Sequence, residues 1–217
     1  MNDLNFPPAI TKALDKLCRA YQDKDFVPSL EADIVGYLYY VMVKQNKGDS
    51  SNIHISGRIP SKEGKRKYPD LVIGNVLGIS EQVGSYESWV QSGDTRLSVP
   101  KDEALKMVHS KSFQERLKPM TASIEVTIEI KPFLRGFSSQ QLWHRIENAR
   151  ADLISLASKV PAKLRILLLF DEINFLTKTA IETRLDRLIK LRDSLAPEIR
   201  IVYVSCIAEC GCNWRLI

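Results

Sequence analysis

The sequence is short of cysteine and has no long hydrophobic run, and each shortage excludes a class of protein. Four cysteines in a chain of 217 residues are too few for a disulfide framework, so we expect reduced thiols. Three of them cluster near the C-terminus without a second Cys or His cluster, which argues against a structural zinc site. The cysteines are Cys18, Cys206, Cys210 and Cys212. The longest apolar run, Tyr37 to Val43, is far too short to cross a bilayer.

The N-terminal residues also lack the basic start and the apolar stretch of a secretory leader. We therefore expect a cytoplasmic protein with no membrane partner. Two enzyme signatures are missing as well. A strand-like run ends in Asp171 and Glu172, as in a P-loop ATPase, but the chain has no Gly-x-x-x-x-Gly-Lys-Ser/Thr loop. It has no Gly-x-Ser-x-Gly turn of a serine hydrolase either.

The overall composition is that of an ordinary globular protein, with 44% hydrophobic and 26% charged residues. A chain of this length can build one domain with a hydrophobic core of its own. The formal net charge of +5 tilts the expected partners mildly towards polyanions such as nucleic acid.

The order of the predicted elements indicates an α/β or α+β sheet flanked by helices, of which we take α/β, in a single domain over residues 1–217. Helices are predicted over 8–22, over 29–44 with Ser29 as the N-cap, from Ser138 or Ser139 to about 158, and over 177–195. Strands are predicted over 53–58, 67–74, 124–131, 164–170 and 199–204. Residues 1–27 make an N-terminal helical extension. Residues 75–120 make an insertion, with a loop over 78–93 and a helix over 101–118.

The clearest pattern is the alternation of residues 124–131. One face of this strand carries Ile124, Val126, Ile128 and Ile130. The other face carries Glu125, Thr127, Glu129 and Lys131. The simplest interpretation is the solvated face of an antiparallel strand. The Glu-x-Lys tripeptide is weak evidence alone, since it recurs at Glu63-Gly64-Lys65 in a polar turn.

Two acids elsewhere strengthen the functional interpretation of Glu129 and Lys131. Asp70 begins an apolar strand, and Glu31 shares a helix face with apolar residues, which is unusual for a carboxylate without a partner. Mg²⁺ prefers carboxylate oxygens and activates water for phosphodiester hydrolysis. A lysine beside the acids can position that water or stabilise the charged phosphorane.

On these residues the sequence resembles the PD-(D/E)xK, or restriction-endonuclease-like, nuclease superfamily. The matching segments are Leu30-Glu31-Ala32-Asp33-Ile34-Val35, Arg66-Lys67-Tyr68-Pro69-Asp70-Leu71-Val72-Ile73 and Ile128-Glu129-Ile130-Lys131-Pro132. The resemblance covers most of residues 28–206 except 75–120. It implies a mixed central sheet flanked by helices, with the insertion between the second and third core strands. The segment 71–128 is longer than the family's usual gap.

The resemblance also implies roles for single residues. Asp70 and Glu129 would bind Mg²⁺, or Mn²⁺ in its place, with Glu31 as the supporting acid and metal ligand. Lys131 would serve the attacking water. Many members carry a glutamine on the following helix, for which Gln141 is our choice over Gln140. The implied activity is hydrolysis of DNA phosphodiester bonds.

The predicted hairpin tip before Asp70 is basic and would contact DNA phosphates. Its basic residues are Lys62, Lys65, Arg66 and Lys67. The alternative for this turn is a merely solubilising surface. The alternative for the whole chain is a catalytically inactive nuclease-fold module that binds nucleic acid or a protein. An ordinary α/β protein with coincidental motifs is a third interpretation. Symmetric dimers suit duplex cleavage, so a homodimer stays open.

Overall fold

The computed structural model describes residues 6–46, 48, 52–55, 69–77, 79–91, 100–114, 120–158, 160–178, 182–207 and 211–217. The helices are α1 (Pro8–Gln22), α2 (Glu31–Gln45), α3 (Ile79–Gln91), α4 (Lys101–Val108), α5 (Lys111–Gln114), α6 (Ser139–Ser158) and α7 (Arg184–Leu195). The strands are β1 (Ile53–Ile55), β2 (Leu71–Leu77), β3 (Met120–Phe133), β4 (Leu164–Asp171), β5 (Arg200–Ile207) and β6 (Gly211–Leu216).

The strands form one mixed sheet in the order β1-β2-β3-β4-β5-β6. The first three strands are antiparallel neighbours, β3 to β5 run parallel, and β6 returns antiparallel to β5. Parallel neighbours need a crossover connection, which α6 and α7 supply. The prediction of an α/β sheet flanked by helices is therefore confirmed.

Helices cover both faces of the sheet, so the interior strand β3 is buried from two sides. On one face α1 and α2 pack against Ile128 and Ile130 of β3. On the other face α6 and α7 pack against Leu167 and Leu169 of β4. The stripe that buries α6 recurs at helical spacing through Leu142, Ile146, Ala149 and Leu153.

The segment between β2 and β3 differs from the prediction. Residues predicted as a loop form α3, because Val83 and Val90 lie on one face and pack against Ala104 and Val108 of α4. Over residues 101–114 the single helix predicted for 101–118 is instead α4 followed by α5, and residues 115–118 lie outside the described ranges. The break comes at Ser110, whose hydroxyl accepts the N–H of Phe113 at 3.2 Å.

Two helix starts were also predicted too early. α7 begins at Arg184 rather than at 177, because Thr183 and Asp186 form a capping box: the Thr183 hydroxyl accepts the Asp186 N–H at 3.1 Å. α2 has Leu30 as its N-cap residue rather than Ser29. The carboxylate of Asp33 accepts the N–H groups of Ser29 and Leu30 at 2.7 and 2.8 Å.

The C-terminal strand β6 was not predicted at all. It pairs with β5 so that Cys206 and Cys212 face each other, and the two form a disulfide. The expectation of reduced thiols is therefore wrong for this pair, while Cys18 is a free, buried thiol. Of the helices in the described ranges, none combines the length and hydrophobicity of a membrane-spanning segment.

Candidate active site

Asp70 lies immediately before β2 and is fixed to the neighbouring strand. Its carboxylate accepts the backbone N–H of Ile130 at 2.7 Å. Ile130 stands between Glu129 and Lys131 on β3, so this hydrogen bond holds the Asp70 carboxylate beside both residues. The sequence predicted that these residues from two strands converge, and the structure brings them together.

The face of β3 that carries Glu129 and Lys131 is not a solvated one. Their partners on β4 are Leu167 and Leu169, which belong to the core under α6. Lys131 is only 7% exposed and Thr127 is fully buried. Because α6 covers this face, Lys131 is an ammonium group that must find its counter-charges inside the protein.

Three carboxylates from three other elements surround the Lys131 ammonium. Its Nζ lies 3.0 Å from Asp152 Oδ2, 3.6 Å from Glu31 Oε2 and 4.0 Å from Asp70 Oδ2. Nζ also donates a hydrogen bond to the carbonyl oxygen of Ile130 at 2.9 Å. The ammonium is thus the centre at which β2, β3, α2 and α6 meet.

Asp152 on α6 is the site residue that sequence reasoning missed. It approaches Lys131 more closely than Glu31 or Asp70 does. The signal was present in the sequence: Asp152 lies three residues after Ala149 and four before Leu156, so it borders the buried stripe of its helix. The same spacing argument placed Glu31 facing inwards.

Glu31 has a second cationic partner, Arg145 of α6. The Arg145 guanidinium donates to Glu31 Oε2 at 2.5 Å and stacks over the ring of Phe137, 5.4 Å from its centroid. Glu31 therefore bridges two cations, Lys131 and Arg145, which explains how the N-terminus of α2 tolerates an inward acid.

Burial and neighbouring charges shift the pKa of Glu129, Asp70 and Lys131. Burial, followed by the charges of Asp152 and Asp70, raises the pKa of Glu129 to about 8. Burial also raises the pKa of Asp70, although Lys131 and the Ile130 N–H oppose the shift. Burial alone would lower the pKa of Lys131, but Asp152, Asp70 and Glu31 outweigh it and raise that pKa. Lys131 is therefore firmly protonated.

Gln141, the predicted helix glutamine, is exposed and belongs to the capping box of α6. Its side-chain oxygen accepts the N–H of Ser138 at 2.8 Å, and the Ser138 hydroxyl accepts the N–H of Gln141 at 3.3 Å. One turn further along α6, Arg145 makes the contact with Glu31. The basic residues Lys62, Lys65, Arg66 and Lys67 lie outside the described residues.

Glu125 stands apart from this cluster. It is the extra residue of a β-bulge, since Ile73 pairs with Val126 while Gly74 pairs with Ile124. The bulge moves Ile124 into the hydrophobic cluster on the α6 side of the sheet. The predicted apolar face of three isoleucines and one valine therefore does not include Ile124. The carboxylate of Glu125 pairs with Lys163 at 2.8 Å.

Asp171 and Glu172 have structural partners, as expected of acids that end a strand. Asp171 accepts the N–H groups of Phe175 and Leu176 at 2.9 and 2.8 Å and so shapes the turn after β4. Glu172 accepts the Tyr21 hydroxyl at 2.7 Å and the Arg135 N–H at 2.8 Å.

The donor set around Lys131 fits a hard divalent cation by its chemistry. Four acids, Glu31, Asp70, Glu129 and Asp152, face two cations, Lys131 and Arg145. Carboxylate oxygens are the ligands that Mg²⁺ prefers, and a bound cation would oppose both the burial and the acidic neighbours that raise the pKa of Glu129. Among the described residues, however, no three His, Cys, Asp or Glu side chains already form a metal-binding group.

Comparison with models of protein families, with curated proteins and with solved structures gives no match for this chain.

Proposed function

We propose that the protein is a Mg²⁺-dependent nuclease that hydrolyses DNA phosphodiester bonds. The observation that carries the proposal is the convergence on Lys131 of Glu31, Asp70 and Asp152 from three separate elements, within 4.0 Å of its ammonium. A buried lysine among several acids, on the strand that also bears Glu129, provides both metal ligands and a cation for phosphoryl oxygens.

The order of elements supports a restriction-endonuclease-like core within this proposal. The chain runs from α2 through β1, β2 and β3 to α6 and β4, and the site lies where these elements meet. The helices α3 and α4 between β2 and β3 have a small hydrophobic cluster of their own, which supports an insertion there.

In the proposed mechanism Asp70 and Glu129 would hold Mg²⁺, with Glu31 in support. Bound Mg²⁺ would lower the pKa of the attacking water and neutralise phosphoryl charge. Lys131 acts as a charged donor: its raised pKa keeps it an ammonium, which stabilises negative charge on a phosphoryl oxygen and does not take the proton of water. Asp152 holds that ammonium in place from α6.

The test is cleavage of plasmid and single-stranded DNA by the pure protein in Mg²⁺, in Mn²⁺ and in EDTA. We expect metal-dependent cleavage that falls by about 100-fold or more in Asp70→Asn and Lys131→Met, because each removes a group that meets charge in the transition state. Glu125→Gln is the matched control, since its carboxylate lies on β3 but pairs with Lys163.

If wild type and both site variants show the same trace activity in Mg²⁺ and in Mn²⁺, the proposed nuclease function is refuted. Metal-independent DNA binding without cleavage would then favour the inactive binding module.

A further inference from the structure

An open groove of about 600 Å³ lies beside the candidate site, along the first three turns of α6 and the loop before them. It is lined by Phe137, Gln140, Gln141, His144, Arg145 and Asn148. The groove and the site share Arg145, so whatever occupies the groove reaches the edge of the acid cluster.

The side chains that line the groove are hydrogen-bond donors, whereas the candidate site is rich in carboxylates. The lining contains amide, imidazole and guanidinium groups, all able to donate hydrogen bonds, and it contains no carboxylate. Phe137 adds an aromatic surface, with Arg145 stacked over it at 5.4 Å. Donor side chains beside an aromatic ring are the combination that contacts phosphates and stacks bases of single nucleic-acid strands.

The donor side chains are also arranged in a row along α6. Gln141, Arg145 and Asn148 follow one another at spacings of three to four residues, about one helical turn each. A row of this kind suits successive units of a linear polymer better than one isolated phosphate. We propose that the groove binds a nucleic-acid strand and leads it to Lys131.

The contacts at the inner end of the groove define the path to the site. Arg145 donates to Glu31 at 2.5 Å, and the same Glu31 oxygen lies 3.6 Å from Lys131 Nζ. A strand whose phosphate meets Arg145 therefore carries a neighbouring phosphodiester towards the Lys131 ammonium. This second step rests on the proposed nuclease function, whereas binding in the groove does not require cleavage.

The test is metal-free binding of fluorescent single-stranded DNA, single-stranded RNA and duplex DNA in EDTA, measured by anisotropy at low and moderate salt. Asn148→Asp places a carboxylate in the groove, and Asn213→Asp places the same charge on the exposed surface of β6 as the matched control. We expect Asn148→Asp to weaken single-strand binding about tenfold and Asn213→Asp to weaken it less than twofold.

Asn148→Lys places a positive charge in the groove instead, and we expect it to tighten binding of the oligonucleotide several-fold. His144→Ala should weaken binding at every salt concentration, since a hydrogen-bond donor of the groove is lost. Equal effects of Asn148→Asp and Asn213→Asp, or unchanged binding in Asn148→Lys and His144→Ala, would overturn the inference. So would full displacement of the oligonucleotide by poly-glutamate, which would identify the groove as a site for acidic peptides.

The two proposals fail separately. A wild type that cuts DNA, together with an Asn148→Asp variant that binds and cuts as well as wild type, refutes the groove alone. A wild type that does not cut in Mg²⁺ or Mn²⁺, but whose binding falls selectively in Asn148→Asp, refutes the nuclease and supports the groove.

Discussion

The charge state of Lys131 depends on the acids that surround it. A buried amine without partners would lose its proton, because the low-dielectric interior penalises the charged form. Here Asp152 of α6, Asp70 just before β2 and Glu31 of α2 reverse that tendency and raise the pKa of Lys131. Asp152, whose oxygen is 3.0 Å away, is the carboxylate nearest to the ammonium. Removal of this one acid should therefore change the titration of Lys131 more than removal of a distant one.

The corresponding variant is Asp152→Asn. We expect it to lower the pKa of Lys131, so that the ammonium deprotonates at lower pH than in wild type. The ¹⁵N–¹H chemical shift of the Lys131 side chain, followed against pH, measures this directly. If the protein is a nuclease, the alkaline limb of kcat/KM should move the same way. Asp193→Asn on α7 is the control, and an unchanged Lys131 titration in Asp152→Asn would contradict the expectation.

A second prediction at the residue scale concerns Glu129 in the metal-free protein, measured in EDTA. Its pKa is raised to about 8 in the folded state, above the usual 4.5, so the folded protein binds the proton more tightly than the unfolded chain. The free energy of unfolding should therefore fall as pH rises from about 5 to about 8, by a few kcal/mol, at about 1.4 kcal/mol per unit of pKa shift.

Urea denaturation across this pH range measures the slope. Glu129→Gln should flatten it, since the group that takes up the proton is gone, whereas Glu125→Gln should keep the wild-type slope. An identical decline in Glu129→Gln and wild type would show that Glu129 does not titrate in this window.

At the scale of elements, apolar periodicity predicted most of the helices and strands, but it missed α3 and β6 and located several ends poorly. The stripe through Leu142 and Ile146 marks α6 in the sequence alone. The start of α7 was harder, because both Thr177 and Thr183 are residue types found at N-caps. Only Thr183 is followed three residues later by an acid, Asp186, whose carboxylate completes the capping box.

Apolar periodicity also made part of the site predictable. Glu31, Asp70, Glu129 and Lys131 stand on elements whose faces the sequence indicates. The Arg145–Glu31 pair could not be predicted, since it joins residues 114 positions apart on helices that cover opposite sheet faces. Such long-range contacts depend on the packing of α2 and α6 around the sheet, and that packing leaves no local pattern in the sequence.

The N-cap of α7 offers an element-scale prediction. Thr183→Ala removes the hydroxyl that accepts the Asp186 N–H and should lower the free energy of unfolding by about 1 kcal/mol. Ser194→Ala, near the other end of α7, is the control. Its hydroxyl bonds back to the carbonyl oxygen of Leu191 on the exposed surface, so we expect a change below about 0.5 kcal/mol. Urea midpoints compare the two, and equal losses would argue against the cap.

At the scale of the whole molecule, the acid cluster links the two helical layers of the protein. Glu31 belongs to α2, which packs on one face of the sheet, and Asp152 belongs to α6, which packs on the other. Both carboxylates reach Lys131 on the interior strand between them. The charge balance at this point therefore affects the stability of the entire domain, and a bound cation should act on both layers together.

This linkage predicts that Mg²⁺ stabilises the protein globally. A ligand that binds only the folded state at about 100 times its Kd adds about 2.7 kcal/mol, which for a domain of this size raises Tm by about 5–10 °C. Calorimetry with and without Mg²⁺ measures the shift. Asp70→Ala should abolish it, whereas Glu125→Gln, which leaves the acids around Lys131 in place, should retain it.

The measurement separates metal binding from catalysis, because it needs no substrate. A shift that survives in Asp70→Ala would place the cation elsewhere, and no shift in wild type at millimolar Mg²⁺ would mean that Lys131 is the permanent counter-charge of the cluster. In that case the four acids would serve folding rather than phosphodiester chemistry, and the groove along α6 would be left as the functional surface of the molecule.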